Sequence, residues 1–253
     1  MNELHTVFWD FDGTIADTEM QGHMVAFNKA FKHNKVNWIW DESLYSNLLE
    51  IAGGKKRIKY YSEQIKSPIS SEYILRIHNS KQIFYKQLVS NDFIKPRIGV
   101  LRLVKELSLN NIDQWIVTSA SLSSVNSVLR FIYRDKNIPF KGIISGDDVQ
   151  KSKPSSEAYL LALKKASVNN KNTLAIEDSL VGVKAAKGAN IKCIMTLSPW
   201  INSITTEMKL ADLIVDNLGD NNSNCNTLYG HNVDNMVNYK CIEKLFRNNY
   251  ANL

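Results

Sequence analysis

Val7-Phe8-Trp9-Asp10-Phe11-Asp12-Gly13-Thr14 sets an apolar run directly before two carboxylates two residues apart and a glycine. The apolar run predicts a buried strand. Side chains at i and i+2 of a strand point the same way, so Asp10 and Asp12 leave the sheet end together. Two adjacent negative charges repel unless a cation holds them. Magnesium suits that role, because it takes a few carboxylate oxygens and completes its shell with water and substrate phosphate. The opening of the chain therefore predicts a phosphoryl-transfer site at the end of a central strand.

Beyond Pro96, apolar stretches at 114–118, 142–145, 173–176 and 192–196 predict strands. Helical spacing over 99–108, 124–131, 155–166 and 179–187 alternates with them, which is the pattern of a parallel α/β sheet. Between the first strand and residue 91 the pattern is helical instead, over 18–34, 41–50, 55–66 and 70–88, with breaks at Gly53-Gly54 and Ser67-Pro68. The expected organisation is a core of residues 1–17 and 92–220, a helical insertion at 18–91, and a C-terminal loop with a short helix at 221–253.

Hydrophobic residues at 44% and charged residues at 22% are ordinary for a globular chain of 253 residues, and argue against disorder and membrane spans. The excess of 31 basic over 25 acidic residues gives +6, but the basic residues are scattered, so no nucleic-acid or membrane partner is expected. Three cysteines without a CxxC pair predict reduced thiols and a cytoplasmic protein. No basic segment followed by an apolar stretch opens the chain, so no leader is expected. The expected oligomeric state is a monomer.

Three further sites fall where a predicted strand runs into a helix, the crevice in which doubly wound sheets bind ligands. Thr118-Ser119-Ala120-Ser121 offers hydroxyls and helix-entrance N–H groups to a phosphate, although Ser and Thr at this place also serve as plain helix caps. Lys153-Pro154 holds an ammonium on extended backbone, where it either neutralises a phosphoryl oxygen or simply faces solvent. Glu177-Asp178 is a second acidic pair. It completes an oxygen-rich metal site with Asp10 or favours the helix N-terminus that follows.

In this order and at these strand ends, Asp10-Phe11-Asp12-Gly13-Thr14, Thr118-Ser119, Lys153-Pro154 and Glu177-Asp178 resemble the haloacid dehalogenase-like phosphohydrolase superfamily. The resemblance spans about residues 6–216. It implies an α/β fold, a doubly wound Rossmann-like core with a parallel sheet, and a helical cap inserted after the first strand. Within the cap, Asp17-Thr18-Glu19, Gly22-His23, Ala26-Phe27-Asn28, Trp38, Trp40-Asp41 and Gly53-Gly54-Lys55-Lys56-Arg57-Ile58 are similar to the CbbY-type branch, as is the stretch 211–219. Lys56 departs from that branch, where Glu is frequent.

That branch resembles β-phosphoglucomutase and, as the resemblance implies, hydrolyses xylulose 1,5-bisphosphate to xylulose 5-phosphate, which returns to the Calvin cycle. The roles implied are Asp10 as nucleophile, Asp12 as general acid and base, and Ser119 with Lys153 as stabilisers of phosphoryl charge. The implied magnesium ligands are Asp10, the carbonyl of Asp12, and Asp178, with Glu177 nearby. Ala120 at the helix entrance, and Glu19, His23, Gly54, Lys55 and Arg57 in the cap, are the expected substrate-binding residues for a small phosphorylated sugar. Alternatives are a β-phosphoglucomutase, a broader sugar-phosphate phosphatase, and a noncatalytic binding protein on the same scaffold. Trp38 and Trp40 either wall the pocket or pack the cap.

Overall fold

The computed structural model describes residues 3–49, 51, 53–90, 94–134, 137–198, 201 and 203–247. The chain forms two compact units, Met1–Ala16 with Pro96–Leu253, and Asp17–Lys95. The strands are β1 (Thr6–Trp9), β2 (Asp113–Val117), β3 (Gly142–Ile144), β4 (Thr173–Glu177), β5 (Lys192–Thr196), β6 (Leu213–Val215) and β7 (Thr227–Tyr229). Helices α1 (Val25–His33), α2 (Glu42–Leu48), α3 (Gly54–Gln64) and α4 (Ser71–Ser90) belong to the second unit. Helices α5 (Val100–Leu109), α6 (Leu122–Tyr133), α7 (Glu157–Ala166), α8 (Leu180–Gly188) and α9 (Tyr239–Arg247) belong to the first.

The sheet runs β3-β2-β1-β4-β5-β6-β7, parallel throughout except for β7. All of β1 is buried, as its run of Val7, Phe8 and Trp9 requires of a strand paired on both edges and covered on both faces. The indole N–H of Trp9 that burial traps is paired. Trp9 Nε1 donates to Gln114 Oε1 at 3.1 Å, and Gln114 Nε2 donates to the Val104 carbonyl at 3.0 Å. On one face Phe8, Val117 and Ala175 pack against Ala158, Tyr159 and Ala162 of α7, and against Val183, Ala185 and Ala186 of α8. The small residues of α8 let that helix lie close to the sheet.

β1 sits between β2 and β4, so the connections leaving it diverge to opposite sides of the sheet. A crevice opens at its C-terminal end. Asp10 follows immediately, its N–H donating to the Ile176 carbonyl at 2.9 Å.

The second unit packs around Phe27, Phe31, Trp40 and Tyr45, with the rings of Phe31 and Trp40 4.7 Å apart and those of Phe27 and Trp40 4.8 Å apart. Trp38 packs on Phe31 and Tyr61, so both tryptophans hold this unit together. Residues Glu19–Met24 form a π-helical segment, where the His23 N–H reaches back to the Thr18 carbonyl at 2.7 Å, before α1 begins. The expected continuous helix from 18 to 34 is therefore two segments.

Residues 221–247 also differ from the expected loop and short helix. They belong to the first unit and contribute the antiparallel edge strand β7 as well as α9. Arg102 ties this stretch to α5 by donating to the carbonyls of Gly219, Leu218 and Val237 at 2.9, 2.9 and 2.7 Å. The short strand β6 was likewise unread in the sequence. The expected boundary at 91–92 lies outside the described residues, as does 248–253. Among the described residues, no helix is long and apolar enough to cross a membrane.

Candidate active site

Asp10 after β1, Glu177 at the end of β4 and Asp178 after it place three buried carboxylates with oxygens within 4.8 Å of one another. The turn that follows Asp10 depends on Gly13, whose φ of +85° is strained for any other residue, and a Cβ there would collide with the Asp178 carboxylate. Gly182, in the first turn of α8, has the Glu177 carboxylate against it and leaves equally little room for a side chain. Ser179 caps α8 by accepting from the Gly182 N–H at 3.2 Å. The Ser198 hydroxyl donates to Asp178 Oδ2.

Lys153 reaches into this acidic group. Its Nζ donates to Asp10 Oδ1 at 2.6 Å, to Glu177 Oε1 at 2.7 Å and to the Val117 carbonyl at 2.9 Å. Of the two sequence readings for this lysine, solvent exposure is excluded, since it is 9% exposed. Burial by itself lowers the lysine pKa, but Asp10 and Glu177 more than reverse that, and the net shift is upward. Burial raises the Glu177 pKa, and the Lys153 ammonium pulls against that rise. Burial and the neighbouring Asp10 push Asp178 up to about 7. Tyr159 of α7 donates its hydroxyl to Glu177 Oε1 at 2.5 Å.

The donor set suits a hard divalent cation. Of the three clustered carboxylates Lys153 pairs with two, Asp10 and Glu177, and among the described residues Glu177 Oε2 is buried without a hydrogen-bond partner. A lone pair left unsatisfied inside a protein is costly, and an oxygen-seeking ion offsets that cost together with the mutual repulsion of the acids. Asp10, Glu177 and Asp178 are the side chains able to hold it.

The remaining expected residues of this unit are placed as follows. Asp12 is half-buried in the turn after Asp10, bridged to Ala16. Ser119 is exposed just past the end of β2. The Ala120 N–H donates to Thr118 Oγ1 at 3.0 Å, so this group is already engaged and Thr118 acts as a local cap. Helix α6 takes Ser121 as its N-cap, through a 3.3 Å bond from the Ser124 N–H.

The expected cap residues lie in the second unit. Lys81 Nζ is 2.8 Å from His23 Nδ1. An ammonium can only donate, so Nδ1 accepts and the imidazole is neutral with its proton on Nε2. His23 also stacks on Tyr85 at 4.1 Å, and burial, followed by Lys81, drives its pKa well below the ordinary value. Glu19 accepts from the Tyr45 hydroxyl at 2.8 Å. Arg57 is 7% exposed, and it donates through Nε to the Leu48 carbonyl at 2.8 Å and through Nη1 to the Tyr45 hydroxyl at 2.9 Å. This arginine, expected to bind substrate, braces the second unit from inside. Its neighbour Lys55 is exposed, and Gly54 lies beside Phe27 and His78.

Arg97, Ser198, Lys81 and Tyr45 carried no signal in the sequence. Arg97 donates to the carbonyls of Gly13, Thr196 at 2.9 Å and Leu197 at 2.7 Å, fastening the metal-side turn to the end of β5. An arginine after a proline has no motif, and its acceptors are backbone atoms far along the chain.

A family model described as haloacid dehalogenase-like hydrolase matches residues 7–196. Protein CbbY of Cereibacter sphaeroides is 34% identical over 219 residues, 86% of this chain and 94% of its own length. A CBBY-like protein of Arabidopsis thaliana is 30% identical over 222 residues, 85% of this chain and 69% of its own length. The crystal structure of a D10N mutant of CbbY from Rhodobacter sphaeroides in complex with xylulose-(1,5)bisphosphate superposes with a TM-score of 0.75 at 32% identity, covering 85% of this chain and 94% of that one.

Proposed function

This chain belongs to the haloacid dehalogenase-like hydrolase family and is a phosphatase, and on that premise we propose that it hydrolyses xylulose 1,5-bisphosphate to xylulose 5-phosphate and phosphate with magnesium. The observation that carries the chemistry is the buried group of Asp10, Glu177 and Asp178 with Lys153 in contact with two of them. The similarity to CbbY over most of both chains, and the bisphosphate held by that relative, support the substrate.

Asp10 attacks phosphorus in line, and the bond to the sugar oxygen breaks as an aspartyl-phosphate forms. Asp12 gives its proton to the departing oxygen. It then takes a proton from the water that attacks the aspartyl-phosphate, so that phosphate leaves and the Asp10 carboxylate is regenerated. Lys153 and the Ser119 hydroxyl hold the phosphoryl oxygens, where charge is distributed in transit. Asp10, Asp178 and the Asp12 carbonyl, with Glu177 beside them, would hold magnesium, which would supply positive charge against the phosphoryl oxygens and the crowded carboxylates. In the second unit, Lys55 supplies an exposed cation for a second phosphate, with His23 and Glu19 as polar groups for the sugar. The protein acts as a monomer in the cytoplasm on a small phosphorylated sugar.

A phosphate-release screen tests this reading. The panel contains xylulose 1,5-bisphosphate, ribulose 1,5-bisphosphate, xylulose 5-phosphate, and β-glucose 1-phosphate with its bisphosphate primer. Highest kcat/KM on xylulose 1,5-bisphosphate with magnesium, and a 5-phosphate product by phosphorus NMR, is expected. Production of glucose 6-phosphate, or indifference among the panel, overturns the substrate.

A further inference from the structure

Lys153 has three N–H groups, and the structure gives all three an acceptor, in Asp10 Oδ1 at 2.6 Å, Glu177 Oε1 at 2.7 Å and the Val117 carbonyl at 2.9 Å. An ammonium has no fourth proton. Before Lys153 can donate to an oxygen of a transferring phosphoryl group, one of these bonds has to be given up. Among the three acceptors, Glu177 Oε1 has a second side-chain donor, the Tyr159 hydroxyl at 2.5 Å. Glu177 Oε2 has no hydrogen-bond partner and rests against Gly182. The carboxylate therefore depends on the two donors at Oε1.

Resting on the phosphoryl-transfer reading above, we propose that Tyr159 is a positioning residue that keeps Glu177 hydrogen-bonded in place while Lys153 transfers one N–H from Glu177 to a phosphoryl oxygen. Without the phenol, that exchange leaves a buried carboxylate with no protein donor, and an unpaired buried charge is among the costliest states a site can pass through. With the phenol, Oε1 keeps a short bond throughout and the ammonium is released at little cost. No covalent bond is made or broken in this step.

Tyr159 is built for the role. It is fully buried in α7, and burial with the charge of Glu177 holds its pKa well above 10, so it stays a donor. Its ring packs 6.2 Å from that of Phe8 and 5.2 Å from Lys153 Nζ. Those contacts come from the ring and survive Tyr159→Phe, which removes only the hydroxyl.

The experiment compares wild type, Tyr159→Phe, Glu177→Gln and the double variant. Turnover of a simple aryl phosphate, thermal melting, and titration with inorganic phosphate and with orthovanadate, a mimic of the pentacoordinate phosphoryl group, are measured with magnesium present. Tyr159→Phe is expected to lower kcat roughly tenfold with KM within about twofold, and to weaken orthovanadate binding roughly tenfold more than phosphate binding. In the Glu177→Gln background the amide is neutral, and loss of the phenol is expected to change kcat less than about twofold. A Tyr159→Phe enzyme with wild-type kcat and vanadate affinity overturns the proposal. An equal loss in both backgrounds, with or without a fall in melting temperature, overturns it as well, because the tyrosine then acts as packing alone. Neither the aryl phosphate nor vanadate depends on the sugar. A wild type inactive on the bisphosphate panel, but with the vanadate difference intact, rejects the substrate and leaves the role of Tyr159 standing.

Discussion

Lys153 Nζ stands 2.6 Å from Asp10 Oδ1, and the pair is almost wholly enclosed, with side chains 6% and 10% exposed. The pair spans 143 positions of sequence and joins the end of the central strand to the segment before α7. A lysine so placed holds the Asp10 carboxylate in one orientation and masks part of its charge, which is what the proposed nucleophile needs until a substrate arrives. Taking two charges out of water costs energy that their attraction and added hydrogen bonds must offset, so the pair is poor stability evidence but a strong sign of a site arranged for chemistry.

Asp10→Asn keeps the shape of the side chain and removes the nucleophile. Turnover of any phosphate ester is expected to fall on the order of a thousandfold or more. Lys153 retains Glu177 and the Val117 carbonyl as acceptors, so the fold is expected to persist. Phosphate release and a melting curve on the same preparation check both halves. Residual magnesium-dependent turnover above about a hundredth of wild type sinks the aspartyl-phosphate.

If the crowded carboxylates of Asp10, Glu177 and Asp178 hold the proposed magnesium, the metal is a folding ligand as well as a cofactor. Magnesium at a hundred times its dissociation constant stabilises the folded state by about 2.7 kcal/mol, a rise of roughly 5–10 °C in melting temperature for a chain of this size. Asp178→Ala is expected to flatten that response, because it removes one of the three clustered carboxylates. Differential scanning calorimetry with and without the metal, including a chelated control, reads it. An undiminished response in the variant moves the metal elsewhere.

Much of this site was legible because its acids sit in contiguous motifs at strand ends. Asp10 and Asp12 follow an apolar run, and Glu177 and Asp178 follow another, so each pair is placed at the C-terminal end of a strand, where a doubly wound sheet opens its crevice. Lys153 was legible as a candidate only. What decides its role is burial against partners more than twenty positions away on either side. Tyr159, Arg97 and Ser198 were unreadable for the same reason, their partners being fixed by tertiary packing. β7 escaped notice because its three residues lie in an Asn-rich stretch that shows no period of its own. Arg57 has, beside Gly53-Gly54, the chemistry of a phosphate clamp, and only the fold shows that its Nε and Nη1 also reach the Leu48 carbonyl and the Tyr45 hydroxyl.

His78 gives the second unit a pH response. Burial, then the charges of Lys81 and Lys55, lower its pKa from 6.5 to about 4, and His23 faces it as a further basic group. The unfolded chain binds a proton near pH 6.5 that the folded chain refuses until about 4. This contribution to stability is therefore fully present above pH 6.5 and is lost as pH falls toward 4. Replacing His78 with Gln is expected to flatten the fall in urea midpoint between those limits, leaving the share due to His23, His231 and the carboxylates. Parallel slopes for wild type and variant contradict it.

Arg57 and Lys55 are expected to separate cleanly. Arg57→Ala removes the side-chain donor to the Leu48 carbonyl, which keeps the Ile51 N–H, and releases Tyr45 from the chain that runs to Glu19, in a buried setting where a charge-assisted bond is worth roughly 1.5–3 kcal/mol. The variant should melt lower and lose kcat/KM on bisphosphate and monophosphate alike. Lys55 is exposed and takes part in no described hydrogen bond or ion pair, so Lys55→Ala should melt as wild type does. Its loss should fall on the bisphosphate, by roughly tenfold in kcat/KM, because only that substrate has a second phosphate to hold. Steady-state kinetics on the two substrates beside melting curves gives all four comparisons. A selective loss in Arg57→Ala with an unchanged melting temperature returns the arginine to the substrate, and an equal loss on both substrates in Lys55→Ala removes the lysine from specificity.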